Sequence, residues 1–112
     1  MRKILFVCMF LASALYRVDA QIPSYVFHSL SIKDGLSEAT VRSIAEDRTG
    51  FMWFGTEDGL NKYDGYVFTV FKNTVKDSFS VSSNNIKCIY TDSKGNLWIG
   101  TRHGLNLYDP VL

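Results

Sequence analysis

The sequence Asp-Arg-Thr-Gly-Phe-Met-Trp-Phe-Gly-Thr-Glu-Asp-Gly-Leu-Asn-Lys-Tyr-Asp, residues 47–64, decides the fold because it recurs 45 residues further along the chain. Residues 92–109 read Asp-Ser-Lys-Gly-Asn-Leu-Trp-Ile-Gly-Thr-Arg-His-Gly-Leu-Asn-Leu-Tyr-Asp. Over the longer aligned units 41–64 and 86–109, eleven of 24 positions are identical. A repeat of about 40 to 50 residues built from short strands is typical of the blades of a β-propeller.

Turn chemistry divides each unit into short strands. Val41 to Glu46 is the first, and residues 47–50 form a turn in which Asp can accept backbone N–H groups and Gly can take positive φ. The strands that follow are Phe51 to Gly55, Leu60 to Tyr63 and, after the Asp-Gly turn at 64–65, Tyr66 to Phe71. We therefore predict an all-β fold of two four-stranded blades of an incomplete propeller, with blade repeats at 41–85 and, incomplete, at 86–112.

Residues shared by the two units are interpreted as scaffold. Trp53 and Trp98 both lie in the middle of the second strand, so packing between blades explains them better than stacking on a ligand. Turn geometry explains the shared aspartates and glycines. The predicted scaffold residues are Asp47, Gly50, Trp53, Gly55, Thr56, Gly59, Leu60, Asp92, Gly95, Trp98, Gly100, Thr101, Gly104 and Leu105.

Positions where the two units differ are the candidates for function, because a common scaffold does not account for them. Between the shared Thr and Gly, the first unit has Glu57-Asp58 and the second has Arg102-His103. Both pairs fall in a predicted loop, where binding residues concentrate. A solvated turn tolerates any charged pair, so the alternative is that these four residues only face water.

The first twenty residues have the pattern of a secretory signal peptide. A basic start is followed by the apolar run Ile4 to Leu15, and small residues precede the predicted cleavage after Ala20. The run is shorter than the roughly 20 residues that cross a bilayer, which disfavours the alternative of an uncleaved anchor. The mature chain would begin at Gln21, and residues 21–40 are predicted to be an N-terminal strand and linker.

Charge and cysteine content exclude several classes of function. The whole chain has a formal net charge of +1, and removal of residues 1–20 leaves nine basic and ten acidic residues. A nearly neutral chain without a basic run offers no electrostatic surface for nucleic acid. Only Cys88 would remain after processing, so no internal disulfide can form, and its strand pattern predicts a small buried side chain.

No catalytic, metal or cofactor motif is present in the sequence. His28 and His103 have no neighbouring nucleophile and no metal-ligand spacing. The repeated Asp lacks the ligand spacing of a calcium loop, and the Gly-Thr pair lacks the lysine of a phosphate loop. The mature chain of about ninety residues is also too short for a kinase domain. We expect no cofactor, no metal and no enzymatic activity in this chain.

The motif Asp-x-x-Gly-x-x-Trp-x-Gly-Thr-x-x-Gly-Leu-Asn-x-Tyr-Asp resembles the two-component regulator propeller repeat. The stretch Phe27 to Ser37 is similar to the start of sensors built from that repeat, just after their signal peptide. The resemblance implies the exported, periplasmic sensor region of a Bacteroidetes-type hybrid histidine kinase and response regulator. Many such sensors detect oligosaccharides from polysaccharide breakdown.

The resemblance also implies partners that this chain does not contain. Full sensors of this kind have two seven-bladed propellers, a further β-domain, an inner-membrane helix, a kinase and often a DNA-binding segment, and are homodimers. We expect the chain to be the beginning of such a sensor, as a truncated gene product or part of a longer reading frame. Two alternatives stay open: the start of a secreted carbohydrate-active enzyme, and a structural or adhesive repeat protein.

Overall fold

The computed structural model describes residues 2–13 and 21–110, and its strands form two antiparallel sheets. The first has the order β1-β2-β3-β4 and the second the order β5-β6-β7. The strands are β1 (Val41–Glu46), β2 (Met52–Thr56), β3 (Gly59–Tyr63), β4 (Phe68–Phe71), β5 (Ile86–Thr91), β6 (Leu97–Thr101) and β7 (Gly104–Tyr108). The predicted all-β fold is confirmed, and within the described residues the second sheet has three strands.

Residues 21–40 differ from the prediction, because the structure places no strand among them. Ile32–Asp34 form a short 3-10 helix instead. The Ser31 side chain accepts a hydrogen bond from the Lys33 amide at 3.2 Å, and the Asp34 carboxylate accepts one from the Ser31 amide at 2.7 Å. This capping box, closed by Gly35 with φ of 112°, makes a local turn more favourable than an extended chain without a pairing partner.

An N-terminal helix, α1, covers Arg2–Ser13. The side chains of residues 2–12 are exposed. In the part of the chain that the structure describes, no helix combines the length and the apolar character needed to span a bilayer. The predicted cleavage site after Ala20 lies outside the described residues.

The two sheets pack against each other through Trp53, which is completely buried. Its ring stacks on Phe71 of its own sheet at 5.6 Å between centroids and meets the edge of Tyr108 of the second sheet at 4.7 Å. The buried cluster around it draws residues from both sheets: Leu60, Ile86, Ile89, Leu97 and Ile99. Burial of large apolar side chains between layers is the main favourable contribution to such a fold.

Gly55 allows the second sheet to come this close. A Cβ atom at this position would lie 2.5 Å from Cγ2 and 3.0 Å from Cβ of Ile86. Ile86 is fully buried and branched at Cβ, so it has little freedom to move aside. The repeated glycine of β2 is therefore required by packing between sheets.

The outer face of the second sheet is open in the described part of the chain, and this changes the environment of two residues. Trp98, the repeat equivalent of Trp53, is only partly buried. Cys88 is exposed, in contrast to the prediction of a buried side chain. Its equivalent in the first sheet, Ser43, accepts a hydrogen bond from the Ile89 amide of the second sheet at 2.9 Å. Among residues 2–13 and 21–110, no further sheet contacts Cys88.

The turn between the first two strands of each sheet contains an aspartate. Its carboxylate accepts hydrogen bonds both from the backbone of the turn and from the indole of the tryptophan in the next strand. The Asp47 carboxylate accepts hydrogen bonds from the amides of Thr49 and Phe51 at 2.9 and 3.0 Å, and from the Trp53 indole at 2.8 Å. Partial burial raises the pKa of Asp47, but the hydrogen bonds from Thr49 and Trp53 outweigh it and leave the pKa below its ordinary value.

The second turn repeats this arrangement around Asp92. Its carboxylate accepts from the Trp98 indole at 3.0 Å and from the Asn96 amide at 2.9 Å. Hydrogen bonds from Trp98 and Asn96 lower the pKa of Asp92 to about 2. The ionised carboxylate therefore fixes the orientation of each tryptophan.

Trp53→Ala is expected to destabilise the chain by about 3 to 5 kcal/mol, the usual cost of truncating a large buried aromatic side chain. Trp98→Ala, its repeat-matched control, should cost about 1 to 2 kcal/mol because that ring is only partly buried. Urea unfolding followed by circular dichroism measures both, and Trp53→Phe provides an intermediate variant if Trp53→Ala does not fold. Equal losses for the two alanine variants would contradict the buried position of Trp53.

Stability should fall as the pH is lowered from about 4 to about 2. The folded pKa of Asp92 lies below its unfolded value of about 3.9, so its stabilising contribution is complete above that value and is lost as the carboxylate protonates in the folded state. Asp92→Asn should therefore reduce the difference between urea midpoints measured at pH 6 and pH 3. A variant with the full pH dependence of the wild type would show that Asp92 does not contribute.

Candidate ligand-binding face

The four candidate residues lie in equivalent turns at the same end of the two sheets. Residues 56–59 join β2 to β3, and residues 101–104 join β6 to β7. Antiparallel register places the start of β1 next to the first turn, with Val41 opposite Thr56, and the start of β5 next to the second, with Ile86 opposite Thr101. We call this end of the two sheets, comprising both turns with Arg42 and Lys87, the loop face.

The backbone of the two turns is held in the same way. The Thr56 hydroxyl donates to the Gly59 carbonyl at 3.0 Å and accepts from the Asp58 amide at 3.1 Å. Thr101 makes the same pair of bonds to Gly104 and His103, again at 3.0 and 3.1 Å. The turns therefore present different side chains on a common backbone.

The turns are also brought next to each other by the connector between the sheets. The Gly59 amide donates to the Asn84 carbonyl at 2.6 Å, and the Arg102 amide donates to the carbonyl of the next residue, Asn85, at 3.0 Å. Adjacent connector residues thus bind one turn of each sheet. The structure places all four candidates on a single surface, which the sequence did not establish.

A repeated polar network fixes each turn to the chain that precedes its sheet. The Ser37 amide donates to the Asn61 side-chain oxygen at 3.0 Å, and the hydroxyls of Ser37 and Thr56 lie 2.9 Å apart. The second copy joins Ser82 to Asn106 at 3.1 Å and to Thr101 at 2.9 Å. Sequence reasoning missed both serines, although they have the same 45-residue spacing as the rest of the repeat.

The acidic pair of the first turn is engaged in ion pairs. Glu57 pairs with Arg42, whose hydrogen bond and charge lower the pKa of Glu57. Asp58 pairs with Lys72, with Nζ and Oδ2 3.0 Å apart. All four side chains are partly exposed, so these pairs contribute little to stability and mainly occupy the carboxylates.

The basic pair of the second turn is available to solvent. Arg102 and His103 are exposed, and their backbone amides are bonded, but among the described residues their side chains make no hydrogen bond or ion pair. An arginine guanidinium carries five donors and no acceptor, which suits a ligand rich in oxygen atoms. Of the four candidates, these two have the free hydrogen-bonding capacity.

The candidates do not line a closed pocket. A cleft of about 560 Å³ between the two sheets is lined by residues that include Phe71, Ile99 and Tyr108, and by none of the four. Within residues 2–13 and 21–110, no group of three or more His, Cys, Asp or Glu side chains is arranged to hold a metal ion. Binding at the loop face would therefore occur on an open surface.

A family model for the two-component regulator propeller matches residues 35–58 and 80–103. The chain carries two two-component regulator propeller repeats. Each match begins two residues before the serine of the polar network, Ser37 or Ser82, and ends within the turn of the loop face. The two propeller repeats thus include all four candidate residues.

Proteins of two-component systems are similar to this chain. Histidine kinase P4 of Formosa agariphila is 46% identical over 73 residues, which cover 65% of this chain and 5% of that protein. The extracellular domain of the hybrid two-component system BT3049 of B. thetaiotaomicron superposes with a TM-score of 0.66 at 40% identity, covering 72% of this chain and 12% of that chain.

A further solved structure, the extracellular domain of the one-component system BT4673 from the same organism, has a TM-score of 0.59 at 29% identity. It covers 64% of this chain and 11% of that chain. This chain therefore spans a small part of each relative, equivalent to two propeller repeats.

Proposed function

We propose that the two propeller repeats belong to the exported ligand-sensing region of a two-component system and that their loop face binds oligosaccharides. The observation that carries the proposal is the combination of two matched repeats with 40% to 46% identity to a histidine kinase and to an extracellular domain of a hybrid two-component system. In this proposal the repeats bind and do not catalyse, and the kinase activity belongs to a separate part of the protein.

The chemistry of the loop face supports a hydroxyl-rich ligand. Arg102 and His103 offer hydrogen-bond donors, while the carboxylates of Glu57 and Asp58 are already paired with cations. Trp53 is buried between the sheets, so it is not available as a platform for a sugar ring. Recognition would depend on polar side chains of the turns, supported by the rigid strands beneath them.

The wider arrangement of the protein is part of the same proposal. A propeller exported to the periplasm would need a downstream membrane helix to reach a cytoplasmic kinase, and the remaining blades would complete the ring around these two. Homodimerisation of the full sensor would couple ligand binding outside to phosphorylation inside. Nucleic acid is not a proposed partner of these repeats, in line with their nearly neutral charge.

Arg102→Ala is expected to weaken oligosaccharide binding at least tenfold, because it removes a charged donor from the loop face. Calorimetric titration of the exported chain, purified from the periplasm of an expression host, against a panel of oligosaccharides measures the affinity. Lys94→Ala is the control, since Lys94 is an exposed cation in the β5-β6 turn at the opposite end of the sheet. Greater loss with Lys94→Ala would move the binding surface to that end, and absence of binding by every sugar would refute oligosaccharide recognition.

Export with cleavage after Ala20 predicts a defined N-terminus. Chain recovered from the periplasm should begin at Gln21 when its terminal sequence is determined by mass spectrometry. Ala20→Arg should block processing, because the cleavage site requires a small residue. Periplasmic material that retains Met1 in the wild type would contradict a cleaved signal and favour an anchor.

A further inference from the structure

Each of the two sheets has a β-bulge at the loop face, and the extra residue of each bulge is a cation. The register of β1 against β2 shifts around Arg42, and the register of β5 against β6 shifts around Lys87. A bulge changes the direction of the side chain of its unpaired residue and is common next to binding sites. Both side chains are exposed.

In the first sheet, the bulge residue and the adjacent turn form an ion pair. The Arg42 guanidinium donates a hydrogen bond to the carboxylate of Glu57, the first residue after Thr56 in the β2-β3 turn. This hydrogen bond and the charge of Arg42 lower the pKa of Glu57. The backbone of bulge and turn therefore brings the side chains at these two positions into direct contact.

In the second sheet, the same two positions are both occupied by cations. The 45-residue repeat takes Arg42 to Lys87 and Glu57 to Arg102. The backbone is equivalent, because the bulge is repeated and the Thr101 hydroxyl holds its turn with the same two hydrogen bonds as its counterpart in the first turn. The Lys87 ammonium and the Arg102 guanidinium are thus placed to share the space in which Arg42 and Glu57 meet in the first sheet.

Among the described residues, no carboxylate neutralises this pair of cations. Both side chains are exposed and make no hydrogen bond or ion pair there. Arg42 is the main cause of the lowered pKa of Glu57, and the charge of Lys87 adds to it, but that carboxylate is bound by Arg42. Two neighbouring cations repel each other, and an anion placed between them replaces this repulsion by two attractions.

The other charges at this end belong to the first sheet and the chain before it, and they are engaged. Asp58 pairs with Lys72, and the Glu38 carboxylate accepts a hydrogen bond from the Thr40 amide at 3.0 Å. The repeat equivalent of Glu38 in the second unit is Ser83, which is uncharged. The second sheet is therefore the cationic part of the loop face.

The nearly neutral charge of the chain conceals this patch because the opposite end of the sheets is acidic. Asp47, Asp64 and Asp92 lie there, and each accepts hydrogen bonds from the backbone of its turn. The carboxylates at that end stabilise turns, while the two free cations face the other way.

We propose that Lys87 and Arg102 together bind the anionic group of an acidic oligosaccharide, either the carboxylate of a uronic acid or a sulfate ester. This inference rests on the proposed function and narrows its class of ligand. The anionic group of the sugar would take the position that Glu57 has beside Arg42, and the Arg102 guanidinium would donate two parallel hydrogen bonds to it. His103, exposed in the same turn, would contact the neighbouring hydroxyls.

Sugars that differ only in the group on the exocyclic carbon atom test this proposal. Neutral oligosaccharides of galactose, glucose and mannose, the corresponding uronic acids and the corresponding sulfate esters are titrated by calorimetry against the exported chain at about 50 mM and about 300 mM salt. We expect one anionic series to bind at least about fivefold more tightly than its neutral series at low salt, and this ratio to fall at high salt, as for exposed ion pairs.

The outcome separates this inference from the proposed function. A higher affinity of the uronic acids or of the sulfate esters supports the anion site and identifies the anionic group. Equal affinity of the neutral and both anionic series would overturn the anion site and leave oligosaccharide recognition intact. Binding of none of the sugars would refute both.

Arg102→Glu tests the pair of cations, because it gives the second sheet the carboxylate that the first sheet has at Glu57. This carboxylate should pair with Lys87 and abolish the preference for anionic sugars. Lys87→Gln should reduce the preference at least about twofold, whereas Lys94→Gln, which removes the same charge at the opposite end, should retain it. The ratio of anionic to neutral affinity is the readout, so a general loss of binding does not produce the expected result. An unchanged ratio in Arg102→Glu, or an equal reduction in Lys87→Gln and Lys94→Gln, would overturn the proposal.

Discussion

The fold depends on one constraint: each sheet has a large apolar face that only a neighbouring sheet can bury. Trp53 meets this constraint by filling the space between β2 and the second sheet, where Phe71 and Tyr108 contact its ring. Gly55 beside it removes the side chain that would keep Ile86 away. Packing at this junction is close, and interiors packed in this way are sensitive to small changes in volume. Trp98 lies on the equivalent face of the second sheet and is only partly buried.

Two sets of hydrogen bonds between polar groups of the repeat stabilise this junction. The aspartate of each tight turn orients the tryptophan through its indole N–H, and the serine, threonine and asparagine network ties the connector to the sheet. Thr56 and Asn61 are completely buried, yet both are hydrogen-bonded, as buried polar groups must be. These bonds fix the scaffold without using the side chains of the two residues at the tip of each loop-face turn. Those residues are free to differ between blades.

The repeat explains how much of the structure the sequence could predict. Turn residues at fixed spacing located β1 to β3 and β5 to β7 within a residue or two, because each turn restricts the backbone locally. The placement of residues 21–40 could not be predicted in the same way, since an extended segment becomes a strand only when a partner edge is available. The prediction that Cys88 is buried is wrong for a related reason. The apolar pattern of its strand is that of a sheet covered on both faces, but in the described residues the face that carries Cys88 is not covered. The pairing of Glu57 and Asp58 with cations depends on Arg42 and Lys72, which are remote in sequence from the turn.

The junction between the sheets joins two different surfaces, since the face that carries Trp53 meets the opposite face, which carries Tyr108. Both surfaces are encoded within a single unit of 45 residues. Tandem duplication of the corresponding gene segment therefore produces a compatible neighbour at once, with no need for new complementary mutations. A propeller of this kind can gain or lose blades by recombination while the turns of its loop face diverge independently.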